Sequence, residues 1–274
     1  ACAGISALIE RDDVDVVYLL TPQWFGIYPA ILACEAGKAI YCGLPLASDP
    51  VELESIAKAV RVSQIQFMPE LARRYYPATL RLKELIATTL GPPRLVLGHI
   101  RLFGFDRYAV PGPATQISPA PLLIDPGSYL IDWCGYLMQA SPTTISGTHA
   151  TVVPVPDAQG QEPDFESFSI GFSDGAAAQI NLNRHDRDRW GEATRFLPPA
   201  GFQVFAERGA AWLEMPDRIQ WWDSSGIHEE RLPLEPTVGD VLNDQFHRLV
   251  TGRTTQAPDL HDAIKMAHLV RDLR

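Results

Sequence analysis

The sequence lacks the features that mark membrane, metal-binding and secreted proteins. No apolar run approaches the roughly 20 residues of a membrane-spanning helix, and the N-terminus lacks the basic-then-apolar order of a signal peptide. The four cysteines form no CxxC pair and have no histidine spacing suited to zinc. We therefore expect no membrane span, no metal centre and no disulfide framework, and we expect a cytoplasmic protein in a reducing compartment.

Basic charge is also scarce. The 274 residues include 23 Lys and Arg against 33 Asp and Glu, which gives a formal net charge of −10. Nucleic acids and anionic membranes select basic surfaces, so we expect neither as a partner. With 46% apolar and 20% charged residues, the composition is that of an ordinary globular protein. The expected partner is a small molecule or another protein.

The first 70 residues have the pattern of a parallel sheet. Apolar, β-branched runs alternate with helical segments, which predicts strands buried on both faces and joined by right-handed crossovers. The predicted strands are 13–20, 38–42 and 64–68, and the predicted helices are 27–36, closed by Gly37, and 50–60. Ligands of such sheets bind beyond the carboxyl ends of the strands, which here are followed by TPQ at 21–23 and GLP at 43–45.

After residue 70 the pattern becomes that of an antiparallel meander. A helix predicted at 72–91 ends at Gly91-Pro92-Pro93, and a helix at 122–138 interrupts the extended segments that follow. These segments are RLVLGHIRLF, TTISGTHATVV, FESFSIGF, AAAQINLN, GFQVFAE, AAWLEM and RIQWW. Helices at 240–251 and 259–273 close the chain.

These patterns predict an α/β fold class with two domains. Residues 1–70 form a partial Rossmann-type parallel sheet, the C-terminal part of a dinucleotide-binding domain. Residues 71–274 form an α+β domain with an open, mostly antiparallel sheet and the two closing helices.

The helix predicted at 122–138 carries three polar side chains on one face. Asp125, Tyr129 and Asp132 fall at i, i+4 and i+7, so two carboxylates and a phenol share one stripe. Asp125 before Pro126 is typical of a helix N-terminus, and capping explains this carboxylate. Capping does not explain the phenol, which needs its own partner if it is buried. Two interpretations therefore remain: the three side chains have a purely structural role, with Asp125 as the helix cap, or they form part of an active site.

Four blocks of the sequence resemble the Gfo/Idh/MocA (glucose-fructose oxidoreductase / inositol dehydrogenase) family. They are VDVVYLLTPQ from residue 14, ILACEAGKAIYCGLPLA from 31, LIDPGSYLID from 123 and the closing QFHRLVTGR from 245. Members bind NAD(P) in a Rossmann domain and oxidise or reduce a sugar or polyol carbon. The resemblance implies an NAD(P)-dependent oxidoreductase that transfers a hydride to or from a CH–OH carbon of a sugar, polyol or related small molecule.

The resemblance also implies roles for individual residues. Tyr129 stands where most members have a histidine that exchanges a proton with the substrate, and Asp125 would orient it. Such a group is needed because a hydride leaves a carbinol carbon only as the hydroxyl proton is taken. The implied cofactor-binding residues are Thr21, Pro22, Gln23, Gly43, Leu44 and Pro45, and the substrate-binding candidates are Arg73 and Asp132. Arg73 and Arg74 could equally be solvated surface.

The sequence departs from the family pattern at two places. The second block usually ends in Glu-Lys-Pro, and here the residues are Gly43-Leu44-Pro45. In tyrosine-type members the lysine would lower the pKa of the phenol. A GxGxxG loop is also absent, so either the chain is a fragment of a longer protein, the interpretation we favour, or this relative has lost its phosphate-binding loop. A second hypothesis stays open, in which a non-catalytic relative keeps the fold as a binding or assembly protein.

The predicted strands of the second domain carry apolar residues at both odd and even positions, so apolar side chains point to both faces of the sheet. Trp221 and Trp222 are adjacent in one predicted strand, so one faces the core and the other faces outward. A second apolar face needs a partner. We therefore expect a homo-oligomer that forms through the outer face of the antiparallel sheet.

Overall fold

The computed structural model describes residues 4–20, 25–43, 50–101, 124–150, 165–183, 201–254 and 260–272. Its helices are α1 (Ile5–Ile9), α2 (Tyr28–Glu35), α3 (Pro50–Ser63), α4 (Pro77–Leu85), α5 (Ile124–Met138), α6 (Val238–Val250) and α7 (Leu260–Asp272). Its strands are β1 (Val16–Leu19), β2 (Ala39–Cys42), β3 (Phe67–Pro69), β4 (Pro93–Arg101), β5 (Pro142–Ala150), β6 (Phe165–Phe172), β7 (Ala177–Asn183), β8 (Gly201–Ala206), β9 (Gly209–Glu214), β10 (Arg218–Asp223) and β11 (Gly226–Arg231). Within these ranges, no helix is long and apolar enough to span a membrane.

The chain divides into two compact units. Unit 1 comprises Ala1–Tyr75 and Glu235–Arg271, and unit 2 comprises Tyr76–Leu234 and Asp272–Arg274. The boundary near residue 75 lies close to the one predicted at 70. Both closing helices differ from their predicted grouping, because α6 and all but the last residue of α7 cluster with unit 1.

Unit 1 is built on a parallel sheet with the strand order β1-β2-β3. β2 pairs in parallel with both neighbours, with Val16 opposite Ala39 and Ile40 opposite Phe67. Helices α2 and α3 pack on one face of this sheet, and α6 packs on the other. Every residue of β2 is buried as a result, which is why these strands are apolar along their whole length.

The packing of α6 explains its place in unit 1. Leu242, Phe246 and Leu249 lie on its apolar face and join one core cluster with Tyr41 and Met68 of the sheet. The phenyl ring of Phe246 lies 5.6 Å from the ring of Tyr41, measured between centroids. An amphipathic helix needs an apolar surface to cover, and the second face of the parallel sheet supplies it. The local sequence pattern does not show which sheet α6 packs against, because the two elements are distant in the chain.

The helix predicted at 72–91 is wrong as one continuous element. Ala72–Tyr75 form a 3-10 turn, Tyr76 is extended at φ −62° and ψ 137°, and α4 begins at Pro77. A proline disfavours the α conformation in the residue before it, so the helix cannot run through Tyr76. Residues 86–90 then make a π-helical turn that Gly91 ends at φ 75°.

Unit 2 contains an eight-stranded sheet with the order β11-β10-β9-β8-β4-β7-β6-β5. β4 and β7 are parallel, and every other neighbouring pair is antiparallel. A small parallel sheet followed by an open, mostly antiparallel one confirms the predicted fold class. β11 was not predicted, because its sequence GIHEER has no apolar alternation.

Helices α4 and α5 cover one face of the large sheet. Trp133 of α5 is fully buried, and its ring lies 4.4 Å from the ring of Phe202 on β8, measured between centroids. The Nε1–H of Trp133 donates a hydrogen bond of 3.0 Å to Oγ1 of Thr79 on α4, which is also buried. The indole therefore joins both helices to the sheet and satisfies its own polar atom.

Candidate active site

The carboxyl ends of the three parallel strands meet at one edge of the unit 1 sheet. The backbone N–H of Gly43 donates to the carbonyl oxygen of Leu19 at 2.8 Å, and the N–H of Glu70 donates to that of Cys42 at 2.8 Å. These bonds carry the ladder one residue beyond β2 and β3. Doubly wound folds bind their ligands outside this edge.

Gly43 lies where two strand ends approach closely. A Cβ atom at this position would lie 3.0 Å from the carbonyl oxygen of Leu20 and 3.4 Å from that of Leu19. A side chain would therefore push the ends of β1 and β2 apart, which explains the glycine here. Of the predicted cofactor-binding residues, Gly43 is described. Thr21, Pro22, Gln23, Leu44 and Pro45 lie outside the described residues.

Two further groups at this edge were not identified from the sequence. Burial, with a smaller contribution from the charge of Glu70, raises the pKa of the Cys42 thiol to about 12. This thiol donates to the carbonyl oxygen of Gly43 at 3.2 Å and is protonated at neutral pH, so it is not a nucleophile. Burial also raises the pKa of the half-buried Glu70 carboxyl. The sequence offered one indication of Glu70 as a site residue, since it lies two positions after the predicted strand 64–68.

The 3-10 turn that follows this edge carries both arginine candidates. Nη1 of Arg74 lies 3.3 Å from Oδ2 of Asp262 on α7, and this ion pair is largely buried on the arginine side. Arg74 therefore fastens the turn to α7. Arg73 is half-buried on the same turn, and its substrate-binding role stays a prediction.

In unit 2, the predicted polar stripe lies on α5. The helix contains all three predicted residues, Asp125, Tyr129 and Asp132. Tyr129 and Asp132 are half-buried, and the two residues that follow Tyr129, Leu130 and Ile131, are buried. Asp125 is the second described residue of α5, and its role as a helix cap stays a prediction.

The polar face of α5 continues to Tyr136, which a lysine of α4 contacts. Tyr136 is half-buried like Tyr129, seven residues earlier, so two phenols recur at helical spacing. Nζ of Lys83 on α4 donates to the backbone carbonyl of Tyr136 at 3.3 Å and lies 4.6 Å from the centroid of its ring. Together with the hydrogen bond of Trp133, these contacts hold the Trp133–Tyr136 part of α5 against α4.

Comparison with known proteins gives partial relatives. No family model matches the chain. It is 29% identical over 151 residues to trans-1,2-dihydrobenzene-1,2-diol dehydrogenase of Mus musculus, covering 53% of this chain and 44% of that protein. It is 28% identical over 119 residues to D-xylose 1-dehydrogenase (NADP(+)) of Hypocrea jecorina, covering 43% of this chain and 30% of that protein. The chain thus spans less than half the length of either curated relative.

The solved structures show the fold. An NAD binding oxidoreductase from Klebsiella pneumoniae superposes with a TM-score of 0.80 at 18% identity, covering 100% of this chain and 80% of that chain. The chain therefore has the two-part fold of this oxidoreductase. Both comparisons fit the Gfo/Idh/MocA resemblance seen in the sequence blocks.

Proposed function

We propose that this protein is an NAD(P)-dependent oxidoreductase of the Gfo/Idh/MocA type that acts on a CH–OH carbon of a sugar, polyol or related small molecule. The observation that carries the proposal is the α5 stripe, with Tyr129 at the family's proton-transfer position on a firmly packed helix. The names of the curated relatives, a diol dehydrogenase and a sugar dehydrogenase, support the same class of reaction.

The edge of the parallel sheet fits a dinucleotide. Gly43 keeps the ends of β1 and β2 close together, and the carboxyl of Glu70 has no hydrogen bond or ion pair within the described part of the chain. The edge thus offers backbone groups and an acceptor that a ligand could use. We assign the cofactor to Gly43, Glu70 and the residues that follow β1 and β2, namely Thr21, Pro22, Gln23, Leu44 and Pro45. A bound nicotinamide cofactor supplies the hydride acceptor or donor.

The residues of the chain then have to move a proton and hold the substrate. Tyr129 accepts the hydroxyl proton during oxidation and returns it during reduction. Asp125 orients the phenol from one turn earlier on α5, and Asp132 accepts hydrogen bonds from substrate hydroxyl groups. Arg73 binds an anionic or hydroxyl group of the substrate. A phenol ordinarily ionises near pH 10, so oxidation should accelerate toward alkaline pH in a protein that has Leu44 in place of the family lysine.

Replacing Tyr129 by phenylalanine tests this proposal. Titration with NADH and NADPH measures cofactor binding, and a panel of sugars and polyols measures turnover. We expect Tyr129→Phe to bind cofactor like the natural protein and to lose about 10²–10⁴-fold in kcat. Tyr136→Phe is the matched control, because it removes a phenol from the same stripe and keeps the aromatic ring beside Lys83.

Two results would contradict the proposal. A protein that binds neither NADH nor NADPH is not a nicotinamide-dependent enzyme. A protein that binds cofactor, turns over nothing on the panel and is indifferent to Tyr129→Phe is instead the non-catalytic binding or assembly protein. Leu44 favours that second function, since the residue removes the ammonium that would activate the phenol.

We also propose that a second copy of this chain covers the outer face of the large sheet. One apolar row crosses four neighbouring strands. It consists of cross-strand neighbours, namely Phe205 on β8, Ala210 on β9, Trp222 on β10 and Ile227 on β11. Phe205, Trp222 and Ile227 are 37%, 41% and 83% exposed. Exposed apolar rows of this kind mark association surfaces. The outward parity of Trp222 and inward parity of Trp221 support the homo-oligomer predicted from the sequence.

A further inference from the structure

Glu70 is a charged side chain at the ligand-binding edge of the parallel sheet. Its backbone N–H is bonded to the end of β2, which fixes the residue one step beyond β3. Its charge acts on the buried Cys42 thiol at the end of β2. Glu70 therefore lies where the ends of two neighbouring strands meet, and its carboxyl is half-buried there.

The Glu70 carboxyl has no hydrogen bond or ion pair within the part of the chain that the structure describes. It is half-buried, and burial raises its pKa. By contrast, the half-buried Glu230 is paired with Arg81 through hydrogen bonds of 2.8 and 2.7 Å. A partly desolvated carboxylate without a partner is unfavourable for folding, so a ligand is the natural source of compensation.

We propose that the Glu70 carboxylate faces the nicotinamide ring of the bound cofactor and favours the oxidised, cationic ring over the reduced, neutral one. This inference rests on the proposed function. It assigns Glu70 a positioning role that sets the balance between the two cofactor forms.

The chemistry of a dinucleotide favours the nicotinamide ring over its other parts. The pyrophosphate is anionic, so a carboxylate beside it would repel it. Ribose hydroxyls can donate to a carboxylate, but they are the same in both oxidation states. The ring gains a positive charge on oxidation, and a nearby carboxylate attracts that form selectively. A difference in affinity between the two oxidation states therefore identifies the ring.

Binding measurements on Glu70→Gln test the assignment without turnover. The dissociation constants of the oxidised and reduced forms are measured by calorimetry for the natural protein and the variant. We expect the affinity for the oxidised form, relative to the reduced form, to fall about tenfold, as for the loss of one screened charge–charge attraction. Glu54→Gln is the matched control, because it removes an exposed carboxylate from α3 of the same unit. Melting temperatures show whether each variant is folded.

Three results would separate the outcomes. If the natural protein binds neither form, the proposed function is wrong, and the inference about Glu70 falls with it. If both forms bind and Glu70→Gln leaves the ratio unchanged, the proposed function survives and Glu70 has no role at the ring. If the variant weakens both forms equally, Glu70 contacts a ribose hydroxyl and the inference is overturned.

Discussion

The two sheets of this protein are buried in different ways. The parallel sheet of unit 1 is covered on both faces, by α2 and α3 on one and by α6 on the other. The large sheet of unit 2 is covered by α4 and α5, and its opposite face carries an exposed apolar row. Trp221 and Trp222 show the contrast within one strand, at 7% and 41% exposure.

This difference determines where each sheet can carry function. A strand buried on both faces has no surface for polar side chains, so its polar groups collect at the ends. Glu70 and Gly43 lie at such ends. Among the described residues, α4 and α5 cover one face of the large sheet, so we propose that its other face binds a partner, and the covering helix α5 can carry polar side chains. We therefore propose that the parallel sheet acts at its edge, and that the large sheet acts through its outer face and through α5.

The largest expected effect comes from uncovering one face of the parallel sheet. Phe246 is buried against Tyr18 and Tyr41, with centroid distances of 5.4 and 5.6 Å. We expect Phe246→Ala to lower the free energy of unfolding by about 3–5 kcal/mol, from lost burial and a residual cavity. Urea denaturation measures it, with the exposed Val62→Ala of α3 as a control near zero. A loss below about 1 kcal/mol would mean that α6 is not part of this core.

A change in the residues that follow β2 in the sequence should alter chemistry with little effect on stability. Leu44→Lys returns an ammonium to the family's lysine position and should raise oxidation at neutral pH by about 10²-fold, because the cation favours the ionised phenol. The rate should also depend less on pH. Leu44→Met is a control of similar size without charge. Equal pH–rate profiles for the two variants would show that the cation does not act on Tyr129.

A change on the open face of the large sheet should alter association. We expect Trp222→Ser to weaken self-association by about 30-fold, the effect of losing one buried aromatic anchor. Sedimentation equilibrium gives the dissociation constants, and Leu80→Ser, which alters an exposed residue of α4, should leave them unchanged. A natural protein that is monomeric at micromolar concentration would rule out the interface.

The smallest expected effect concerns the stability cost of Glu70. Burial raises the pKa of its carboxyl, so the folded state keeps this proton to higher pH than the unfolded state does. The free energy of unfolding therefore falls as pH rises from the unfolded pKa, near 4.3, through the raised folded value. We expect Glu70→Gln to raise the melting temperature slightly at pH 7 and to have no effect below about pH 4. A lower melting temperature at pH 7 would mean that the carboxylate is stabilised by the fold.

Much of the fold could be predicted from local patterns. The apolar runs around β1, β2 and β3 identified the parallel strands, and Gly37 ends α2 at φ 67° as a C-terminal glycine should. The segment FESFSIGF is a strand over the predicted residues. In the candidate site, helical spacing pointed to the stripe on α5, and the second family block pointed to Gly43.

The amino-acid sequence by itself determined which segments form strands and helices, because periodicity and turn residues act within a few positions. The tertiary structure decided what those segments cover. It placed α6 in unit 1, added the charged edge strand β11 through pairing with β10, and left Glu70 half-buried without a partner in the described residues. Burial and pairing depend on residues distant in the chain, so no local pattern contains them.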